Sequence, residues 1–304
     1  MNKLLQKNIF IICILAAGTL WGTMGLFVRG LAKDGLTSVE IVLFRTVCAT
    51  VILGLWMLIR DRKALKIKIK DLWCFIGTGI ISLTFFNICY FTTIQMTSMA
   101  VAAIMLYTSP VFVVLLSAVL FREKINLKKS LALVLAFGGC VLVTGVLSGN
   151  GLVMTPVGIL IGLGSGIGYA LYSIFGRYAL ERGYSSVAIS FYTFLTCSVG
   201  LLIISPMLAP ATETISKITN GNTLADILLI IGIALMGTIF PYLLYTKGLS
   251  GVENGKAGIM ASIEPVVAAL LGILIYKEVL SFATILGILM VLGAVVLLNV
   301  SDGK

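Results

Sequence analysis

The sequence predicts an all-α integral membrane protein of ten transmembrane helices, arranged as two inverted five-helix repeats around a central cavity. Two observations carry this prediction. Apolar residues make up 59% of the 304 residues and charged residues 11%, against roughly 25% charged residues in an average soluble domain. Residues 74–143 and 229–298 also share one pattern, without gaps, at a constant offset of 155 positions. An internal duplication within a membrane is typical of secondary transporters.

Ten apolar stretches have about the length that crosses a bilayer, which is about 20 residues. They cover residues 9–28, 39–59, 72–91, 99–121, 130–147, 157–176, 187–208, 225–246, 256–276 and 282–300. The polar pieces between them are too short to fold as independent domains, so we expect any binding site to lie between helices. The first stretch is too long for the apolar part of a typical signal peptide, and we expect it to be retained.

The repeat is clearest around two prolines, and it divides the chain. Paired positions include Ser109 with Glu264, Pro110 with Pro265, Arg122 with Lys277 and, at an offset of 148 earlier in each half, Arg29 with Arg177 and Gly35 with Gly183. The chain is therefore predicted to be one transport domain made of two repeats, residues 1–148 (helices 1–5) and 156–304 (helices 6–10). Because five helices form each repeat, the second repeat enters the membrane from the opposite side.

The basic residues predict the orientation in the membrane. With the N-terminus in the cytoplasm, 17 of the 22 Lys and Arg residues fall on the inner side, and four fall outside: Arg29, Lys33, Lys217 and Lys277. The positive-inside rule therefore predicts a multi-pass plasma-membrane protein with both termini cytoplasmic. The basic run at 60–70 is expected to lie beside lipid headgroups. This uneven distribution explains the net charge of +10 without a nucleic-acid partner.

Several chemistries are disfavoured by what the sequence lacks. It has no histidine, no CxxC spacing among its six cysteines and no GxxxxGK[ST] nucleotide-binding loop. We therefore expect no metal site, no cofactor and no catalytic residue. The cysteines are interpreted as small buried thiols. The expected partners are a small organic solute and membrane lipid, with monomer and homodimer both open.

Two charged residues lie within the predicted spans. Glu264 is about eight residues into the ninth span, near the middle of the bilayer, where a carboxylate is costly. It could carry a proton, bind a cationic group of a substrate, or cap the backbone at Pro265. Arg45 could extend to the outer headgroups or hold a substrate carboxylate. Their repeat partners are Ser109 and Thr193, so neither charge is duplicated.

Neutral polar and aromatic residues lie at similar depth. Ser165, Tyr169, Tyr172 and Ser173 share one face of the sixth helix. Tyrosines often anchor helices at the interface, but a hydroxyl deep in a span needs a partner or water. We therefore predict a polar, aromatic cavity suited to organic solutes. Its candidate residues are Trp21, Arg45, Asn87, Tyr90, Tyr169, Tyr172, Ser173, Tyr242, Tyr245 and Glu264.

Prolines and glycines are expected to shape the helix packing. Pro110, Pro265 and Pro241 interrupt the fourth, ninth and eighth spans. The repeat-related Pro110 and Pro265 are hinge candidates, and a static kink is the alternative. Glycines spaced four apart on the first and sixth helices are interpreted as close-packing sites: Gly18, Gly22, Gly158, Gly162 and Gly166.

Taken together, these motifs resemble the ten-helix drug/metabolite transporter superfamily, EamA type. The resemblance covers nearly the whole chain and rests on Leu20-Trp21-Gly22, Phe44-Arg45, Ser109-Pro110-Val111 with Arg122-Glu123, and Glu264-Pro265-Val266 with Lys277-Glu278. It implies a basket of helices with the fifth and tenth at the periphery. It also implies alternating access by rocking of helices 3–4 and 8–9. Members of this family export amino acids, purines, drugs or other metabolites.

The predicted function is secondary transport, with no enzymatic activity. We expect export of amino acids or related small organic metabolites by alternating access, with protons acting through Glu264 as the candidate coupling ion. Efflux of drugs or toxic compounds and a lipid-linked role, as a flippase or in membrane assembly, stay open. An intramembrane enzyme is disfavoured because a Ser or Cys nucleophile would lack an evident base.

Overall fold

The computed structural model describes residues 3–144, 155–208, 223–277 and 281–299, which contain helices and no β-strand. We label the ten spanning helices α1 to α10, and several consist of consecutive segments. The first half holds α1 (Lys3–Gly22 and Met24–Lys33), α2 (Ser38–Arg60), α3 (Leu72–Ile76, Gly77–Thr84 and Phe85–Met96), α4 (Met99–Leu106 and Ser109–Phe121) and α5 (Leu127–Val143). The second half holds α6 (Pro156–Glu181), α7 (Ser186–Leu208), α8 (Thr223–Ala234, Leu235–Ile239 and Phe240–Leu249), α9 (Asn254–Ala261 and Glu264–Tyr276) and α10 (Phe282–Asn299).

The predicted fold class is confirmed. Within the described residues, nine stretches are long and apolar enough to cross a membrane. The remaining helix, α5, has 17 residues and is followed by a segment outside the described ranges. Two short 3₁₀ turns, Arg62–Leu65 and Ile69–Asp71, connect α2 to α3.

Helices pack mainly across the two halves of the chain. α1 lies against α8 and α9, and the equivalent α6 lies against α3 and α4. α2 packs on α7, α4 on α9 and α5 on α10. Each of these contacts maps onto itself or onto another when the two halves are exchanged. The packing therefore has the approximate two-fold symmetry that inverted repeats require.

The predicted proline interruptions coincide with real breaks in α4 and α9. Each helix consists of an 8-residue segment, a short turn and a 13-residue segment. Pro110 and Pro265 each lie in the first turn of the second segment, where a missing backbone N–H is tolerated. The two second segments also end alike, at Arg122 and Lys277 with φ of 54° and 55°. The prolines thus start a segment instead of kinking the interior of one.

The interruption expected at Pro241 has a different origin. α3 and α8 both contain a π-helical segment, Gly77–Thr84 and Leu235–Ile239. Pro241 follows the π segment of α8, but α3 has no proline near its own π segment. The irregularity is therefore a shared feature of both halves and does not require proline. π segments occur mostly as local bulges and are often found at functional sites.

Glycines let α1 and α6 approach the breaks in α9 and α4. A Cβ atom placed on Gly18 would lie 3.0 Å from the carbonyl oxygen of Ala261, and one on Gly166 would lie 2.8 Å from that of Met105. Gly18 and Gly166 are repeat partners at the 148 offset. Lipid gives helices no hydrophobic drive to associate, so such close backbone packing is a principal source of attraction.

A buried ionic network joins α4, α5 and α9 where these helices meet. The Glu123 carboxylate accepts hydrogen bonds from the backbone N–H groups of Asn254, at 2.7 Å, and Gly255, at 3.1 Å. The Lys129 ammonium, 2% exposed, lies 3.3 Å from Glu123 and 3.0 Å from Glu253. Glu123 thus caps the start of a helix that belongs to the other half.

We expect Gly18→Ala to destabilise the protein by about 1–3 kcal/mol, because the added methyl group would press on the backbone of α9. Gly25→Ala is the matched control, since nothing lies within 4 Å of its Cβ position. That change should be neutral or slightly stabilising. Thermal unfolding in detergent measures both. Equal shifts for the two variants would show that close packing at Gly18 contributes nothing special.

We expect Glu123→Ala to cost about 3 kcal/mol, because it removes a helix cap and one of the two carboxylates beside a buried lysine. Glu181→Ala removes the same charge from an exposed ion pair within α6, with Arg177 at 3.1 Å. Its cost should be below about 0.5 kcal/mol. Unfolding of both variants in the same detergent gives the comparison. A loss for Glu123→Ala no larger than the control would contradict the buried network.

Candidate functional site

The predicted aromatic residues form one cluster between the two halves. The ring of Trp21, on α1, has its centroid 5.2 Å from that of Tyr242, 5.3 Å from Tyr245 and 6.0 Å from Tyr169. Tyr172 is edge-on to Tyr242 at 5.0 Å. These rings come from α1, α6 and α8. The cluster is therefore a product of the packing between repeats.

Two tyrosine hydroxyl groups of this cluster pair with hydroxyl side chains, which offsets the cost of burying them in the membrane. The Tyr172 hydroxyl is 2.6 Å from Thr246 Oγ1. Ser173 Oγ is 2.8 Å from the Tyr245 hydroxyl. Both pairs join α6 to α8. They fix the orientation of rings that would otherwise be held by apolar contact alone.

The predicted central cavity is closed in this structure. The space enclosed by Trp21, Tyr169, Tyr242, Tyr245 and their neighbours measures about 10 Å³. That volume holds about one water molecule. An organic solute can enter only after the surrounding helices move apart.

Glu264 borders a second small cavity, also of about 10 Å³, that lies on the symmetry axis. Three repeat-related pairs line it: Leu106 with Ala261, Tyr107 with Ser262 and Ser109 with Glu264. The Tyr169 hydroxyl donates to Glu264 Oε2 at 3.5 Å and belongs to both cavities. Tyr169 is therefore the side chain that connects the carboxylate to the aromatic cluster.

Arg45 is buried on α2, with only 4% of its surface exposed. Its Nη1 donates to the sulfur of Met24 at 3.6 Å, which is a weak acceptor. The side chain is therefore enclosed by neighbouring helices. Tyr242 and Cys197 lie within electrostatic range of its guanidinium group. Ion pairs among the described residues include neither Arg45 nor Glu264.

The remaining predicted residues are less central. Asn87 is buried and donates to the carbonyl of Leu83 in its own helix. Tyr90 contacts Phe86 and Phe91, outside the Trp21 cluster. Ser165 donates to the carbonyl of Gly162. Pro110 lines the Glu264 cavity, and Pro265 is buried next to it.

Four residues near the site were missed by the sequence reasoning. Thr246 is the partner of Tyr172, and Tyr107 and Ser262 border the Glu264 cavity. Asn254 is fully buried and donates from Nδ2 to the carbonyl of Ser173, linking the Glu123 cap to the cluster. Tyr107 and Ser262 are repeat partners that lie two positions before Ser109 and Glu264, so the repeat alignment could have found them. Asn254 and Thr246 carried no such signal.

Comparison with known proteins identifies relatives along the whole chain. The sequence profile of the EamA-like transporter family matches residues 8–145 and 156–300. An uncharacterized transporter of Archaeoglobus fulgidus is 29% identical over 93% of this chain and 94% of its own length. The uncharacterized transporter YwfM of Bacillus subtilis is 26% identical over 96% and 95%. The uncharacterized inner membrane transporter YicL of Salmonella typhimurium is 22% identical over 96% and 95%.

A solved crystal structure shares the fold. It superimposes with a TM-score of 0.77 and covers 95% of this chain and 96% of its own. The sequence identity is 17%, so this likeness concerns the fold alone.

We expect a double-mutant cycle of Tyr172→Phe and Thr246→Val to show a coupling free energy of about 1 kcal/mol. Each single change leaves one buried hydroxyl unpaired, whereas the double change removes both. The double variant should therefore lose less stability than the sum of the two singles. Thermal unfolding of the four proteins measures the cycle. Strictly additive losses would mean that the two hydroxyls do not bond each other.

Proposed function

Because this chain belongs to the EamA-like transporter family, and is therefore a membrane transporter, we propose that it exports amino acids or related zwitterionic metabolites. Family membership gives the role of a membrane transporter, and the proposal adds a substrate class, a direction of transport and a coupling ion. It assigns no enzymatic role, in agreement with relatives that are named transporters.

The observation that carries the proposal is a pair of opposite charges, the buried Arg45 and the partly buried Glu264, each close to a tyrosine of the same aromatic cluster. Arg45 lies near Tyr242, and Glu264 accepts a hydrogen bond from Tyr169. Both tyrosines contact Trp21. Among the described residues, neither charge has an oppositely charged partner within ion-pair distance. An unpaired charge within a membrane is costly, which favours a functional role.

An amino acid would satisfy both charges at once. The Arg45 guanidinium group can bind a carboxylate through two hydrogen bonds. The Glu264 carboxylate can accept hydrogen bonds from the ammonium group, and the nearby rings add cation–π attraction. The substrate side chain would then pack on the faces of Trp21 and the tyrosines. A solute with only one charge leaves either Arg45 or Glu264 unpaired.

Transport requires the closed cluster to open alternately to each side of the membrane. At the breaks before Pro110 and Pro265 the regular α-helical hydrogen bonding of α4 and α9 gives way to tighter i→i−3 bonds, such as those from Thr108 N–H to the Met105 carbonyl and from Ile263 N–H to the Met260 carbonyl. We assign the hinge to these breaks, with α3–α4 and α8–α9 as the moving pairs. The repeat relation of the two breaks suits a motion in which each half performs the same bend in turn.

Glu264 is also the proposed site of coupling to protons. A carboxylate that binds either a proton or a substrate ammonium group, but not both, makes the two compete. An inward proton would then exchange for an outward amino acid. The excess of basic residues on one side, with both termini in the cytoplasm of the cell, supports the plasma membrane and this orientation.

We expect Arg45→Gln and Glu264→Gln each to lower amino-acid counterflow in proteoliposomes by about tenfold or more, which corresponds to one lost charged hydrogen bond. Glu181→Gln, the same charge change outside the site, should leave it near normal. Arg45→Gln should still transport the amine analogue that lacks the carboxylate, because that analogue needs only Glu264. In Glu264→Gln the residual transport should lose its dependence on pH.

Three outcomes oppose the proposal. Full rate and pH dependence in Glu264→Gln would eliminate the carrier role. Efflux of apolar cations that survives Arg45→Gln, with no amino-acid transport in the unmodified protein, would identify a drug exporter instead. Movement of a labelled phospholipid without solute transport would identify a lipid-linked role.

A further inference from the structure

Asp71 and Asp226 are repeat-related aspartates on the two faces of the protein, and their neighbouring residues differ. Asp71 starts α3, and Asp226, 155 positions later, starts α8. Arg182 follows α6, and Asp34, 148 positions earlier, follows α1. The spanning helix α2 separates the Asp34 end from the Asp71 end. The two acidic residues Asp71 and Asp226 therefore lie on opposite faces of the membrane, at equivalent positions of the two repeats.

Asp71 has a complete set of partners. Arg182 Nε lies 3.1 Å from its Oδ1. The Tyr184 hydroxyl donates to its Oδ2 at 2.8 Å. Each carboxylate oxygen thus has one donor, and one of those donors is positively charged. This pair is an ordinary ionic link between the ends of α3 and α6.

Asp226 has lost both of these partners. The positions equivalent to Arg182 and Tyr184 are Asp34 and Leu36. Asp226 is 0% exposed, and neither of its carboxylate oxygens has a hydrogen-bond partner among the described residues. The carboxyl group of Asp34 nevertheless lies within hydrogen-bonding reach of it. A buried apolar cluster that includes Leu31, Leu36, Ile230 and Ile233 joins α1 and α8 nearby, whereas Asp34 itself is exposed.

Two ionised carboxylates in contact cannot hydrogen-bond, because both are acceptors only. Asp226 is 0% exposed, so its charged form lacks hydration, and a charged Asp34, which is itself exposed, would add repulsion to that cost. One proton removes both difficulties, since a carboxylic acid donates to the neighbouring carboxylate. We therefore propose that Asp34 and Asp226 form a proton-binding site between α1 and α8, on the face predicted to be external, which holds one proton in the packed state.

Other charged groups nearby do not replace that proton. Arg29, on α1, stacks over the ring of Tyr276 with its guanidinium carbon 4.4 Å from the centroid. Lys33 is exposed. Glu40, on α2, accepts hydrogen bonds from the Thr37 hydroxyl and N–H. Arg45 is one turn and more deeper in α2, against Met24.

Loss of the proton weakens the contact between α1 and α8 at this face. It puts two negative charges in contact between the end of α1 and the start of α8, so the ends of the two helices separate more easily. The opposite face has the Asp71–Arg182 ion pair at the equivalent place. The site is separate from Glu264, and its test does not depend on which solute is transported.

The test is the apparent melting temperature of the purified protein in detergent between about pH 4, near the ordinary pKa of an aspartate, and about pH 8.5. A proton held by the folded state and absent from the unfolded state stabilises at low pH and is lost as pH rises. The melting temperature of the unmodified protein should therefore fall across this range, by about 3 °C or more. Asp226→Asn and Asp34→Asn should show a smaller fall, because each contact then has a permanent donor.

Two further variants use the symmetry of the molecule. Asp34→Arg recreates the Asp71–Arg182 pair on the other face and should raise the melting temperature at high pH while flattening its pH dependence. Asp71→Asn is the matched control and should lower stability while keeping the slope. This comparison separates the proposed site from a general effect of losing an aspartate.

The same slope in the unmodified protein, Asp226→Asn and Asp34→Arg would overturn the proposal. So would destabilisation by Asp34→Arg at high pH. Replacing choline chloride by sodium or potassium chloride at constant ionic strength tests whether the site binds a metal ion instead of a proton. A stabilisation by the metal ion at high pH that is absent in Asp226→Asn would assign the site to that ion and not to a proton.

Discussion

The structure depends on the close approach of α1 to α9 and of α6 to α4. Gly18 and Gly166 let each helix contact the backbone where its partner is broken, and a Cβ atom on Gly22 would lie 2.7 Å from the carbonyl oxygen of Glu264. Trp21 and Tyr169 lie on the same two helices, so this approach also brings their rings together. In lipid, where apolar side chains gain nothing by avoiding the solvent, backbone contact of this kind determines where the halves meet. The site is a consequence of that contact.

The symmetric scaffold carries chemistry that is not symmetric. Glu264 faces its repeat partner Ser109 across one small cavity, and Arg45 corresponds to Thr193. Asp34 corresponds to Arg182, which changes an ion pair into a contact between two acids. In each case the two repeats share the position in the fold but differ in the charge of the side chain. Duplication supplies equivalent positions in the two halves, and divergence has given those positions different side chains.

Much of the fold could be predicted because composition and the repeat are properties of long segments. The helices, their inverted arrangement and the breaks near Pro110 and Pro265 follow from hydropathy, helix number and proline chemistry. The clustering of Trp21, Tyr169, Tyr172, Tyr242 and Tyr245 followed from their depth. Local geometry did not follow. The π segment of α3 and the break at Thr23 have no proline beside them, although the π segment of α8 precedes Pro241. The closed cavity depends on ring orientations that no spacing determines. Asn254 was missed because its role comes from Glu123, which lies 131 positions away.

The position of Trp21 means that its intrinsic fluorescence can report on the centre of the protein. Of the three tryptophans, Trp56 and Trp73 are substantially exposed on the outer surface of the bundle, whereas Trp21 is 5% exposed and in contact with three tyrosines. With Trp56 and Trp73 replaced by phenylalanine, indole fluorescence would arise from the centre of the molecule alone. Its wavelength and its excitation through neighbouring tyrosines would then follow hydration and ring separation as the halves open. The residue that lines the closed central cavity is thus also the one best placed to show when that cavity opens.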